Sequence, residues 1–108
     1  MVTRIWRGWT APHNAQVYQD LLLAEIFPGI AKRGVPGYRG VSLARRDLGD
    51  QVEFVTTMWF DSIGAVKAFA GPEYEIAVVP PAAREVLERF DERCAHYETI
   101  VPPPAGFP

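Results

Sequence analysis

Apolar and polar residues interleave along the first ten positions. Val2 to Thr10 is rich in β-branched and aromatic side chains, which predicts a strand carrying Trp6 and Trp9 on opposite faces. Both faces therefore need cover. Pro12 and Asn14 are helix-start signals, and Ala15, Tyr18, Leu22 and Ile26 then recur at helical spacing along one side. Pro28 lacks an N–H and clashes with the turn before it, so it is expected to break or kink this helix, with Gly34-Val35-Pro36-Gly37 ending it. Alternation resumes from Tyr38 to Arg46, Asp47-Leu48-Gly49-Asp50 reads as a turn, and Gln51 to Phe60 completes a hairpin. The second hairpin strand sets Phe54, Met58 and Phe60 on one face and Val55 and Trp59 on the other, so neither face reads as solvated.

Asp61 or Ser62 can cap a short helix through Val66 and Phe69 that Gly71 closes. After Pro80-Pro81, Ala83, Val86, Leu87 and Phe90 form the expected buried stripe of a third helix, with Arg84/Glu88 and Glu85/Arg89 four apart on its wet side. Cys94 to Val101 reads as a last strand, stopped by Pro102-Pro103-Pro104. The pattern thus predicts one α+β domain over residues 1–101, a ferredoxin-like βαββαβ fold with a four-stranded antiparallel sheet, followed by a Pro-rich tail at 102–108. Helices cover one sheet face. The other would leave an apolar patch, and the simplest remedy is a homodimer that packs sheet against sheet as a dimeric α+β barrel, with a hydrophobic pocket in the lumen.

Size and composition agree with this. A chain of 108 residues suits one domain, and 48 % hydrophobic against 22 % charged residues supplies a core. Eleven basic residues scattered among thirteen acidic ones form no phosphate-neutralising stripe, so no nucleic-acid partner is expected. No run approaches about 18 apolar residues, the length of a membrane-crossing helix. The single Cys94 and the absence of zinc-type spacing give no disulfide and no metal site, and a cytoplasmic setting is expected. Glycines lie in turns and element ends, so phosphate-binding loops and dinucleotide fingerprints are missing too.

Four segments, Thr3 to Trp9, Val35 to Gly40, Phe54 to Ser62 and His96-Tyr97-Glu98, together resemble the antibiotic biosynthesis monooxygenase family of dimeric α+β barrels. The likeness spans roughly Val2 to Val101 and is one of pattern and order. It implies a homodimer with a pocket in each subunit, used in some members for cofactor-independent oxygenation of aromatic substrates and in others for oxidative degradation of haem. The haem-degrading members carry an asparagine on the first strand, a tryptophan on the helix after the third strand and a histidine further on. Trp6, Phe69 and the neighbourhood of Val79 occupy those places here, so the haem reading loses its iron ligand unless His96 or His13 replaces it.

The cofactor-free route needs an apolar cavity, groups that favour a substrate anion, and exclusion of water. Arg4 or Arg7 can stabilise a phenolate or enolate, and His96 is the candidate base. Trp6, Met58, Trp59, Phe60, Phe69 and Tyr74 are the candidate lining of the substrate pocket. Each has a plainer reading: a structural strand histidine, core aromatics, and a tyrosine that ties down a loop. Arg4 and Arg7 point to opposite faces, so only one can reach the pocket. Cys94 reads as a buried inert thiol and His13 as a surface residue. The expected function is monooxygenation of an apolar or aromatic small molecule without a cofactor. Its rivals are a cyclase, isomerase or lyase in the same pocket, a non-catalytic carrier of a hydrophobic ligand or haem, and a structural dimer with a filled lumen.

Overall fold

A computed structural model describes residues 1–104; residues 105–108, part of the tail read at 102–108, lie outside the described residues. Strand β1 (Val2–Thr10) forms the spine. It pairs antiparallel with β3 (Val52–Phe60) on one side, and β2 (Tyr38–Asp47) pairs with β3 in turn. Along the other side of β1 run two short strands, β4 (Arg89–Phe90) and β5 (Ala95–Glu98), so the sheet order is β2-β3-β1-β4 with β5 also on β1. This is the ferredoxin-like order, with the fourth strand in two pieces. Asp91 to Cys94, four residues, stand opposite Trp6 and Arg7 between the two pairings, and this two-residue excess breaks the strand. The bulge is held by Asp91, whose carbonyl accepts from Trp6 Nε1 at 2.6 Å and whose carboxylate meets Arg7 Nε at 3.0 Å.

The first helical segment differs from expectation. Helix α1 (Ala15–Leu21) passes through a π-helical turn (Leu22–Ile26) into α2 (Phe27–Lys32), so Pro28 does not end it. Phe27 N–H donates to the Leu22 carbonyl, one residue wider than an α-turn, and Pro28 then occupies the first turn of α2, where a missing N–H costs little. Gly34, at φ 59°, closes the helix as expected. Helix α3 (Ile63–Ala70) is capped by Ser62, whose Oγ accepts from Ala65 N–H at 3.1 Å, and ends at Gly71, φ 89°.

The third helix is shorter than its sequence stripe. Helix α4 (Pro81–Val86) stops because Leu87 turns extended and the chain joins the edge of β1, Glu88 N–H donating to the Trp9 carbonyl at 2.8 Å. Phe90 consequently lies in β4, and the pairs Arg84/Glu88 and Glu85/Arg89 do not form. Arg84 instead donates to the Val79 carbonyl and Arg89 lies 3.8 Å from the Trp9 ring centroid. Unsatisfied backbone along β1 outweighs helix propensity here. The last strand is likewise only Ala95–Glu98 rather than Cys94 to Val101.

Alternation along β1 and β3 separates two faces. Arg4, Trp6, Thr56, Met58 and Phe60 turn toward the helices, while Ile5, Trp9, Val55, Thr57 and Trp59 turn away. Two clusters pack on the helix side. One joins Tyr18, Leu22 and Phe54 to Val79 and Ala83, the other Met58 and Phe60 to Ala65 and Val66. Full burial of Phe54 or Phe60 contributes about 1.5–3 kcal/mol each. The outward face carries Ile5, Val55, Thr57 and Trp59 half-buried and Tyr97 exposed, and none of the described helices lies upon it.

Candidate functional site

A cavity of about 350 Å³ lies between the sheet and the helices, inside one chain, lined by members of both clusters. The expected pocket between two sheets is a different place; this one is on the helix side, because the two clusters meet the sheet without closing the gap between them. Its floor is sheet: Arg4 and Trp6 from β1 and Thr56 and Met58 from β3. One wall is the α1–α2 segment, with Leu22 and Ile26 from the π-turn and Ile30 and Arg33 beyond. The wider turn brings Leu22, Glu25 and Ile26 all to the cavity, in keeping with the frequent use of π-turns at sites. Phe69 of α3, Ala77 to Pro80 of the following loop and Cys94 of the bulge complete it.

The loop is placed by a short ladder against the bulge. Cys94 N–H donates to the Glu75 carbonyl at 2.7 Å, Ala77 N–H to the Glu92 carbonyl at 2.9 Å, and Ile76 bridges Arg93. This sets the Tyr74 carbonyl beside Arg4.

Arg4 is the centre of the site. Its side chain projects from the middle of the sheet and is only 5 % exposed. Nη1 donates to the Tyr74 carbonyl at 2.6 Å and meets His96 Nε2 at 2.9 Å. A guanidinium can only donate, so His96 Nε2 is the acceptor and the ring proton sits on Nδ1. Among the described residues no carboxylate pairs with Arg4, and its Nε and Nη2 have no protein acceptor. Burial lowers its pKa somewhat, yet a guanidinium stays charged at any working pH. An unpaired cation is thus presented to an apolar cavity.

Around it, burial first and the Arg4 charge second hold the His96 imidazole below its ordinary pKa. Burial raises the Cys94 thiol, with the Arg4 charge acting the other way, so a neutral thiol faces the cavity. Burial also pushes the Tyr18 phenol well up, leaving it a neutral hydroxyl.

Of the residues singled out from sequence, Arg4, Trp6, Met58 and Phe69 line the cavity. His96 and Tyr74 stand behind Arg4, their rings edge-to-face at 5.1 Å. Phe60 is fully buried in the cluster below, and Trp59 points to the opposite side of the sheet. Arg7 also turns outward, on Asp91 and over Trp9. Tyr18, Leu22, Glu25, Ile26, Ile30 and Arg33 also line it and are not among the candidate lining residues. Tyr18, Leu22 and Ile26 belong to the legible helical stripe, but a stripe does not distinguish packed core from cavity wall, and Glu25, Ile30 and Arg33 lie outside it. No group of three or more His, Cys, Asp or Glu among the described residues is arranged to hold a metal. No described helix is long and apolar enough to cross a membrane.

No family model matches the chain, and no curated protein matches it. Solved structures do. A candidate antibiotic biosynthesis monooxygenase of Bacillus cereus superposes with a TM-score of 0.63 at 14 % identity, covering 96 % of this chain and 95 % of that one. The haem degrader MhuD of Mycobacterium tuberculosis, with two haems bound in its active site, gives 0.59 at 20 % identity over 96 % and 100 % of the chains. SnoaB, a cofactor-independent oxygenase from Streptomyces nogalater, gives 0.57 at 21 % identity over 95 % and 96 %. At these identities the likeness is one of fold. The chain therefore has the α+β, ferredoxin-like fold of the antibiotic biosynthesis monooxygenase-like proteins.

Proposed function

We propose that this protein is a homodimeric, cofactor-independent monooxygenase that oxidises an electron-rich aromatic small molecule in the helix-side cavity. The observation that carries the reading is Arg4: a buried guanidinium with two unpartnered nitrogens on the wall of a largely apolar chamber. The fold shared with SnoaB, named a cofactor-independent oxygenase, supports the choice of reaction.

Such a reaction needs little from the protein. A phenol or enol at Arg4 is held as its anion by charge and by donation from Nε and Nη2, which favours loss of its proton. The anion passes one electron to dioxygen, the two radicals combine to a peroxide at the activated carbon, and loss of water leaves a carbonyl. A methylene substrate and one dioxygen thus give one ketone and one water, with every electron drawn from the substrate. Trp6, Met58 and Phe69 supply the apolar walls that keep bulk water from the peroxide. The His96 lone pair that would serve as a base is committed to Arg4, so the substrate proton leaves toward solvent at the cavity mouth.

The test is oxygen uptake by the purified protein with an anthrone-like phenol, with binding followed by quenching of Trp6 fluorescence. Stoichiometric uptake is expected, and Arg4→Gln should lower turnover about 100-fold, the usual cost of removing a donor to a developing anion. Phenol that binds without oxygen uptake would leave a carrier, or a cyclase, isomerase or lyase. Haem bound in preference to phenol, seen as a Soret band, would favour the haem-binding alternative that the fold shared with MhuD suggests.

A further inference from the structure

Arg4 does not face the cavity alone. Arg33, at the end of α2, lines the same chamber from its exposed rim, donates through Nη2 to the Phe69 carbonyl at 2.9 Å, and forms no ion pair among the described residues. The two guanidinium carbons lie 5.7 Å (Arg4) and 5.0 Å (Arg33) from the centroid of one ring, that of Phe69. A buried cation and a rim cation therefore both sit against the same aromatic ring. Glu25 is the one acid among the lining residues, so the chamber carries an excess of positive charge on otherwise largely apolar walls.

A positive chamber of this kind selects against neutral and cationic molecules. Desolvating Arg4 without a counter-ion is unfavourable, and a ligand anion relieves that cost where a neutral group relieves only part of it. The unpartnered Nε and Nη2 form a two-nitrogen fork suited to a planar oxyanion, a carboxylate or phenolate.

Resting on the reading that the cavity holds a small aromatic molecule, we infer that its ligand is an aromatic acid with two acidic groups, one seated on Arg4 and the second on Arg33, its ring lying along Phe69. Arg33 is then the residue that determines specificity at the rim, and Arg4 the one that determines charge within.

Titration with three naphthalene derivatives of the same ring system, a carboxamide, a monocarboxylate and a dicarboxylate, tests this, with Trp6 fluorescence or calorimetry as the readout. The monocarboxylate should bind about 10-fold more tightly than the carboxamide, and the dicarboxylate tighter again by about 3- to 10-fold, the smaller step reflecting the solvent-screened rim charge. Arg33→Gln, which removes the rim charge at an exposed side chain, should bring the dicarboxylate to the monocarboxylate level and leave the monocarboxylate unchanged. Arg4→Gln should abolish the preference for acid over amide while the carboxamide still binds, which shows the chamber intact. Equal affinities for all three, or a dicarboxylate indifferent to Arg33→Gln, would overturn the diacid inference and leave the small-molecule site standing. Failure of every probe to bind would sink both.

Discussion

At the residue scale, the site turns on the bond between Arg4 Nη1 and His96 Nε2. Because His96 must accept, its neutral form is the one the fold favours, and burial with the Arg4 charge holds its pKa below 6.5. The sign follows from proton binding: the unfolded chain takes up a proton at His96 that the folded chain resists, so the unfolded state binds more protons in that window. Stability should be complete above pH of about 6.5 and should fall as pH drops through the window beneath it. His96→Gln, whose amide oxygen can still accept from Arg4, should flatten that slope in thermal melts taken across the window and keep the affinity for an acidic ligand. His96→Ala should flatten the slope and also weaken acid binding, since Arg4 loses its orienting acceptor. An unchanged pH slope in both variants would mean that the histidine does not hold Arg4. From sequence, Arg4 and His96 were each legible as chemistry-bearing, but they lie 92 positions apart, and only the pairing of β5 with β1, register Arg4↔His96, brings them together.

At the element scale, strands were read more surely than helices. Period-two alternation in β1, β2 and β3 reports directly on two faces, and their bounds match to within a residue. Helix ends depend on competition. Pro28 is tolerated because a π-turn precedes it, and α4 yields its last residues to the β1 edge, neither of which leaves a local signal. Gly37 shows the reverse case, a local feature with a tertiary reason. It sits at φ +87°, its carbonyl accepts from Asp61 N–H at 2.9 Å, and a Cβ there would come 2.6 Å from the Ala65 Cβ. Backbone strain and overlap both oppose a side chain, so Gly37→Ala should destabilise the fold by about 1–3 kcal/mol. A lowered denaturant midpoint at unchanged slope is the expected result.

At the scale of the whole molecule, one sheet face is covered by helices and encloses the cavity, while the other presents Ile5, Val55, Thr57 and Tyr97, with no described helix over it. We expect a second copy to cover it, sheet on sheet, which would leave both cavities on the outer, helical sides of the dimer. Ile5→Arg should then shift the sedimenting species from dimer to monomer by placing a charge in that contact, while an acidic ligand still binds. A wild-type monomer would remove the dimer from the reading without touching the cavity.

The sequence by itself determined most element types, the α+β order, the two-faced sheet and the presence of arginine, histidine and aromatics on its strands, because side-chain periodicity is a local consequence of backbone geometry. Tertiary structure decided which of those residues meet. The break in the last strand sets Cys94 at the cavity and the Tyr74 carbonyl on Arg4 behind it, the π-turn aims three side chains of one helix into the cavity, and β5 delivers His96 to Arg4. Whether an apolar stripe packs solid or leaves a chamber depends on how distant segments meet the sheet, and that fit is a property of the assembled volume rather than of any stretch of chain.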